Sequence, residues 1–119
     1  MTDQSDQGLD PEDRKLVTLA RSARARNGVP EGAAVRDDMG RTYVAGSVAL
    51  ASLELSALRT AVAMAVASGA ASLEAAAVVS AAELIPAADL AAVHDLGGAD
   101  TTVLLAGTDG NVRATVTAG

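Results

Sequence analysis

His94 is the only histidine in this chain of 119 residues, and there is no cysteine. Metal or acid–base chemistry would therefore have to draw on one imidazole and on carboxylates such as Asp89, Asp95, Glu54 and Glu83. Such a set can hold a divalent metal in principle. A lone histidine near the C-terminal end of a helix is more simply a surface or capping residue. The serines have no histidine–acid partners suggested by the sequence, so nothing points to a hydrolase triad. Gly97-Gly98 is too short for a phosphate loop, and no P-loop pattern is present. Neither a heptad run nor an internal repeat is visible.

The elements that would position these groups can be read from capping, periodicity and turn chemistry. Asp10-Pro11-Glu12-Asp13 is a helix start: a capping Asp, a proline at the first helical position, then acids at the positive end of the dipole. The helix runs to about Arg26 and ends at Asn27-Gly28, with Leu16, Val17, Leu19, Ala20 and Ala23 on one face. Arg14, Lys15, Arg21, Arg24 and Arg26 lie off that face, as a solvated surface or a docking face for an acidic partner. Residues 33–36 and 41–45 read as strands joined by the turn Asp37-Asp38-Met39-Gly40. A loop from Gly46 to about Ala51 follows. Ser52 then caps an apolar helix running to about Ser68, which Gly69 closes. This helix is apolar nearly all round, which predicts a central element covered on most sides. Residues 75–80 form a wholly apolar run, as in a strand buried on both faces. Pro86 opens a third helix, from about Ala87 to Leu96. Residues 101–106 and 112–116 are strands joined by a Gly-Thr-Asp-Gly-Asn turn at 107–111. A buried strand between helices implies a sheet with helices packed on its faces.

Composition narrows the function classes. Twenty-eight residues are alanine and Tyr43 is the only aromatic, so the core must be built from Val, Leu and Ala. A formal charge of −6 and the lack of stacking platforms argue against nucleic-acid binding. Without cysteine there is neither a disulfide framework nor a thiolate metal site, as expected of a cytoplasmic protein. The polar, acidic first ten residues do not read as a signal peptide. Residues 55–73 carry Arg59 as their one charge, but the mid-span arginine and Ser68-Gly69 favour a buried helix over a membrane span. Residues 1–9 are expected to be a flexible tail and 10–119 a single domain.

Two local words sharpen this reading. Ser56-Ala57-Leu58-Arg59-Thr60-Ala61 and Pro86-Ala87-Ala88-Asp89-Leu90 resemble, in order and spacing, the paired motifs of the zinc-dependent cytidine deaminases. In that family the first motif reads Cys-Ala-Glu-Arg-Thr-Ala (or His for the Cys), and the second reads Pro-Cys-x-x-Cys. Gly32-Ala33-Ala34-Val35, Gly40-Arg41-Thr42-Tyr43 and Val103-Leu104-Leu105-Ala106 with Asp109-Gly110 are similar to its first and last hairpins. The resemblance covers residues 12–116. It implies a three-layer α/β/α sandwich around a five-stranded mixed sheet of order 2-1-3-4-5, in a protein that forms homodimers or homotetramers.

The same resemblance implies that the chemistry has been lost. The family's zinc ion activates a water molecule and a glutamate shuttles the protons. Its ligand positions fall here on Ser56, Ala87 and Leu90, and its glutamate on Leu58. The nucleoside-holding element falls at Ser47-Val48-Ala49, and an expected aromatic near Val29. The arginine that offsets the thiolates in the family is kept as Arg59. A guanidinium in a nearly apolar helix is costly to leave unpaired, so a replacement carboxylate is expected: Asp89 first, then Glu54 or Glu83. The alternative is that Arg59 reaches solvent or bonds only backbone carbonyls. Taken together, these readings predict a non-catalytic, cofactor-free cytidine deaminase-like protein with a structural, regulatory or protein-interaction role. The alternatives are a nucleoside- or base-binding module with a remodelled pocket, or an active deaminase with unorthodox ligands.

Overall fold

A computed structural model describes residues 9–119. The expected flexible tail therefore lies, for residues 1–8, outside the described residues, while Leu9 packs on the core. Asp10 accepts a hydrogen bond from the Glu12 amide at 2.8 Å, and Pro11 follows as the first residue of helix α1 (Pro11–Asn27). Gly28 ends the helix in the left-handed region at φ 63°, which costs glycine nothing.

Strands β1 (Gly32–Asp37) and β2 (Thr42–Gly46) form the expected hairpin. The next stretch departs from expectation. Instead of a loop and an early helix start, Val48–Leu50 (β3) and Leu53–Leu55 (β4) make a second, two-stranded hairpin turning at Ala51-Ser52. Ser52 is a turn residue, and the cap is Ser56, whose hydroxyl accepts the Arg59 amide at 3.1 Å. Helix α2 consequently spans Ala57–Ala67. Strand β5 (Leu73–Val79), helix α3 (Ala87–Gly97), and strands β6 (Thr102–Ala106) and β7 (Val112–Thr117) complete the chain.

The five-stranded sheet has the order β2-β1-β5-β6-β7, which is the expected topology with the small hairpin inserted in the numbering. It is mixed: β5 and β6 run parallel, and the other neighbours pair antiparallel. Alternation along the central strands buries both faces. Ala34, Ala75, Ala77, Val79, Leu104 and Ala106 meet Leu16, Val17 and Ala20 of α1. Ala33, Val35, Ala76, Val78, Val103 and Leu105 meet α2 and α3 on the other side. The small side chains let α1 lie close on the sheet. A Cβ on Gly32 would collide with the Ala20 carbonyl oxygen, so β1 can only begin on a glycine there.

Cations clamp the layers together through backbone oxygens and carboxylates. Arg36 of β1 reaches Asp13 of α1 and Glu74 of β5, each at 3.0 Å. Arg14 and Arg21 of α1 both donate to carbonyls of the β6–β7 turn, those of Gly110 and Thr108. No helix of the described residues is long and apolar enough to cross a membrane.

One expectation about α2 needs correction. The sheet and α3 cover only its Ala57, Leu58, Ala61, Val62 and Ala65 side, and Ala63, Met64, Val66 and Ala67 remain exposed. An eleven-residue helix lying in an outer layer has neighbours on one side only.

Candidate functional site

The N-termini of α2 and α3 come together, and Ser56 joins them. Its hydroxyl accepts from the Arg59 amide and donates to Asp89 Oδ1 at 2.9 Å. One hydroxyl can do both, since it carries one proton and two lone pairs. Asp89 is the third residue of α3 and is 4% exposed. Pro86, which precedes the helix, has no side-chain cap to offer. The Asp89 carboxylate stands instead in the first turn, where the helix dipole favours negative charge.

The other positions singled out by sequence part company. Leu58 is fully buried in the core beneath the sheet-facing side of α2. Leu90 is half-buried against the same cluster. Ala87 is exposed on the first turn of α3. A zinc site needs three or four nitrogen, sulfur or oxygen lone pairs at about 2.0–2.3 Å. Methyl and isobutyl groups supply none, and the Ser56 hydroxyl is already committed to Asp89. Among the described residues no group of three His, Cys, Asp or Glu side chains is placed to hold a metal. The donor set at these positions does not fit the family's zinc ion.

The expected buried pair of Arg59 with Asp89 is not formed. Arg59 is exposed, and none of the ion pairs among the described residues involves it. The guanidinium is open to solvent at the first turn of α2, beside the cleft described next. Asp89 takes its hydrogen bond from Ser56 and needs no cation. Glu54 and Glu83 are also exposed and do not pair with Arg59. His94 lies half-exposed with Asp95 Oδ1 at 4.0 Å, away from the residues that line the cleft described next.

An open cleft of about 690 Å³ lies beside Ser56. The β3–β4 hairpin contributes Val48, Ala49, Glu54 and Leu55 to it, and α2 contributes Arg59. Its opposite wall is Pro30 and Glu31 before β1 and Ser80-Ala81-Ala82 after β5. Ser47, at the position of the family's nucleoside-holding element, also lines it. Glu31 reaches across the floor. One carboxylate oxygen faces the Ala57 amide at 3.5 Å, and the other accepts from the Ser80 hydroxyl at 3.3 Å. Ser80 accepts in turn from the Ala82 amide at 3.1 Å, and Arg113 donates to the carbonyls of Ser80 and Ala82. Sequence reading missed Glu31, Ser80 and Arg113, because their contacts join segments 26 to 49 positions apart. The one available signal was Ser80, the single polar residue of the 75–80 strand segment that is otherwise apolar.

A second buried carboxylate is structural. Asp37 is fully buried in the β1–β2 turn. It accepts from the Met39 and Arg41 amides (both 2.9 Å), from Arg41 Nε (2.8 Å) and from the Tyr43 hydroxyl (2.9 Å). Burial pushes its pKa up, but these donors outweigh burial and hold it below the ordinary carboxylate value. Burial, and then the bond to Asp37, raise the Tyr43 pKa.

Comparison with known proteins agrees with this architecture. A family model described as cytidine deaminase-like matches residues 9–110. Among solved structures, cytidine deaminase from Burkholderia pseudomallei superimposes with a TM-score of 0.77 at 29% identity, covering 88% of this chain and 91% of that one. Cytidine deaminase from Mycobacterium leprae gives 0.71 at 22% identity, covering 92% and 95%. A mutant cytidine deaminase from Mycobacterium tuberculosis gives 0.68 at 24% identity, covering 79% and 85%. A search of curated protein sequences gave no significant match. The chain belongs to the cytidine deaminase-like family.

Proposed function

We propose that this chain is a non-catalytic member of its family, a single domain that acts in the cytoplasm by associating with copies of itself or with another protein. The observation that carries the reading is the Ser56–Asp89 hydrogen bond. It joins the starts of α2 and α3 where the resemblance places the family's metal ligands. A bond between first-turn residues does the tethering that a shared metal would do, without the charge that activates water. Leu58, at the proton-shuttle position, can neither accept nor donate a proton and faces the core. The test is turnover of cytidine by the purified protein with its zinc content measured on the same sample. The reading predicts no deamination and far less than one zinc per chain; stoichiometric zinc together with turnover would overturn it.

The open cleft favours a second reading, a nucleoside- or base-binding module without catalysis. Its volume falls in the range of small-molecule sites, about 300–1,000 Å³. On this reading a panel of nucleosides and free bases raises the melting temperature, and Glu31→Ala changes the response. A flat panel at millimolar ligand would remove this second reading and leave the first.

A further inference from the structure

A smaller hollow of about 300 Å³ lies where the two parallel strands end. Ser80 and Ala81 after β5 line it, with Gly107, Thr108 and Asp109 after β6 and Arg113 of β7. The carboxyl ends of parallel strands are where open α/β sheets take ligands. Ser80 and Ala81 also line the larger cleft, so the two hollows adjoin. Arg113 is held in one orientation, because its Nη2 donates to the carbonyls of Ser80 and Ala82. Both bonds leave from that one nitrogen, and the protons on Nε and Nη1 meet no acceptor among the described residues. Nor does this guanidinium enter any of the ion pairs among the described residues. Its charge is both fixed in place and unneutralised.

The surroundings complete a cradle for an anion. Gly107 leaves the space beside Arg113 open: a Cβ there would stand 3.4 Å from Arg113 Nε and 3.1 Å from Asp109 Oδ1. The Thr108 hydroxyl has no partner among the described residues. Arg21 of α1 flanks the same turn, donating to the Thr108 carbonyl at 3.3 Å with its side chain against Gly110. It too stands outside the ion pairs among the described residues. Two guanidiniums thus face one carboxylate, Asp109, which already accepts from the Asn111 amide at 2.9 Å and from Asn111 Nδ2 at 3.1 Å. The spot is locally positive on a chain of net charge −6. We propose that this hollow binds a phosphate group, with Arg113 and Thr108 donating to its bare oxygens and Asp109 accepting from the oxygen that keeps a proton. A guanidinium matches phosphate in charge and in donor geometry. A phosphate monoester near its second pKa of about 6 carries both kinds of oxygen. Sulfate has the same shape but no proton to give Asp109. The same chemistry takes inorganic phosphate, or the phosphate of a nucleotide whose base lies beyond Ser80 and Ala81 in the larger cleft. Only the second source leans on the nucleoside-binding reading.

Isothermal titration calorimetry at pH 6 tests the site on the wild type, Arg113→Gln and Thr108→Val. The ligands are inorganic phosphate, a nucleoside 5′-monophosphate, the matching nucleoside, and sulfate. Circular dichroism checks that each variant is folded. Arg113→Gln also releases two backbone carbonyls, so Thr108→Val, which removes only an exposed hydroxyl, keeps the test open if the first variant unfolds. A phosphate-bearing ligand is expected to bind at one per chain. Arg113→Gln should weaken it by about tenfold or more, and Thr108→Val by about threefold or more. Sulfate should bind at least about threefold more weakly than phosphate, for want of the bond to Asp109. Inorganic phosphate binding as tightly as the nucleotide would support a site for free phosphate; a tighter nucleotide would support the joined ligand. Binding of neither, or binding that both variants leave unchanged, would overturn the proposal. A response to the nucleoside with none to either phosphate ligand would overturn this site and leave the cleft reading standing. Sulfate bound as tightly as phosphate would overturn the choice of phosphate.

Discussion

Ser56 is the residue on which the site turns, because one hydroxyl serves two helices. It caps α2 and bonds the buried carboxylate of α3. Removing a serine cap costs about 1 kcal/mol, and losing a hydrogen bond to a charged group about 1.5–3 kcal/mol. Ser56→Ala is therefore expected to destabilise the fold by about 2–3 kcal/mol in urea denaturation. A double-mutant cycle with Asp89→Ala should show a coupling of about 1 kcal/mol or more. Strict additivity would mean that the two side chains do not hold each other. The sequence marks Arg59 as the group in need of a partner and Asp89 as the first candidate; in the structure Asp89 bonds Ser56 and Arg59 is exposed, the alternative reading. The sequence places Arg59 in an apolar segment without showing which side of the helix is bare, and that side decides whether water can solvate it. At Asp37 the sign of the pH dependence follows from a pKa lowered in the folded state. Its contribution is fully present above the unfolded carboxylate value of about 3.9 and is lost as pH falls through the folded value. Asp37→Asn should lower the melting temperature at pH 7 and flatten the fall below pH 4. An unchanged acid limb would contradict the assignment.

At the scale of elements, alternation and capping located most of the secondary structure. Residues 75–79 alternate between two buried clusters, and Pro11 and Gly28 bracket α1. The β3–β4 hairpin was hidden because Ser52 before an apolar run resembles a helix cap. The Leu53-Glu54-Leu55 alternation, paired with Val48–Leu50, overrides that local preference. The hairpin matters because it forms one wall of the cleft. At Gly32 the backbone of α1 lies directly against β1. A methyl at Gly32 would strike the Ala20 carbonyl oxygen and crowd the Arg24 amide, both of them backbone in a helix that cannot shift alone. Gly32→Ala is expected to cost about 3 kcal/mol, at the upper end for overpacking, read as a lowered denaturation midpoint. A neutral result would mean that α1 sits farther from the sheet.

For the whole molecule, the α/β/α layering and sheet order followed from a resemblance carried by apolar and turn residues throughout the chain. The apolar periodicity that builds the sheet does not depend on the residues that would bind a metal. The cleft was not legible, since Glu31, Ser80 and Arg113 meet only once the sheet is assembled. The central claim is that a hydrogen bond stands where the resemblance places the family's zinc ligands, so the fold should be indifferent to that metal. The direct measurement is the melting temperature of the purified protein with a strong chelator and with added zinc. The account predicts the same value in both. A genuine site with zinc at about 100 times its Kd would add about 2.7 kcal/mol, a rise on the order of 10 °C for a chain of this size. A zinc-dependent rise of that magnitude at one metal per chain would contradict it.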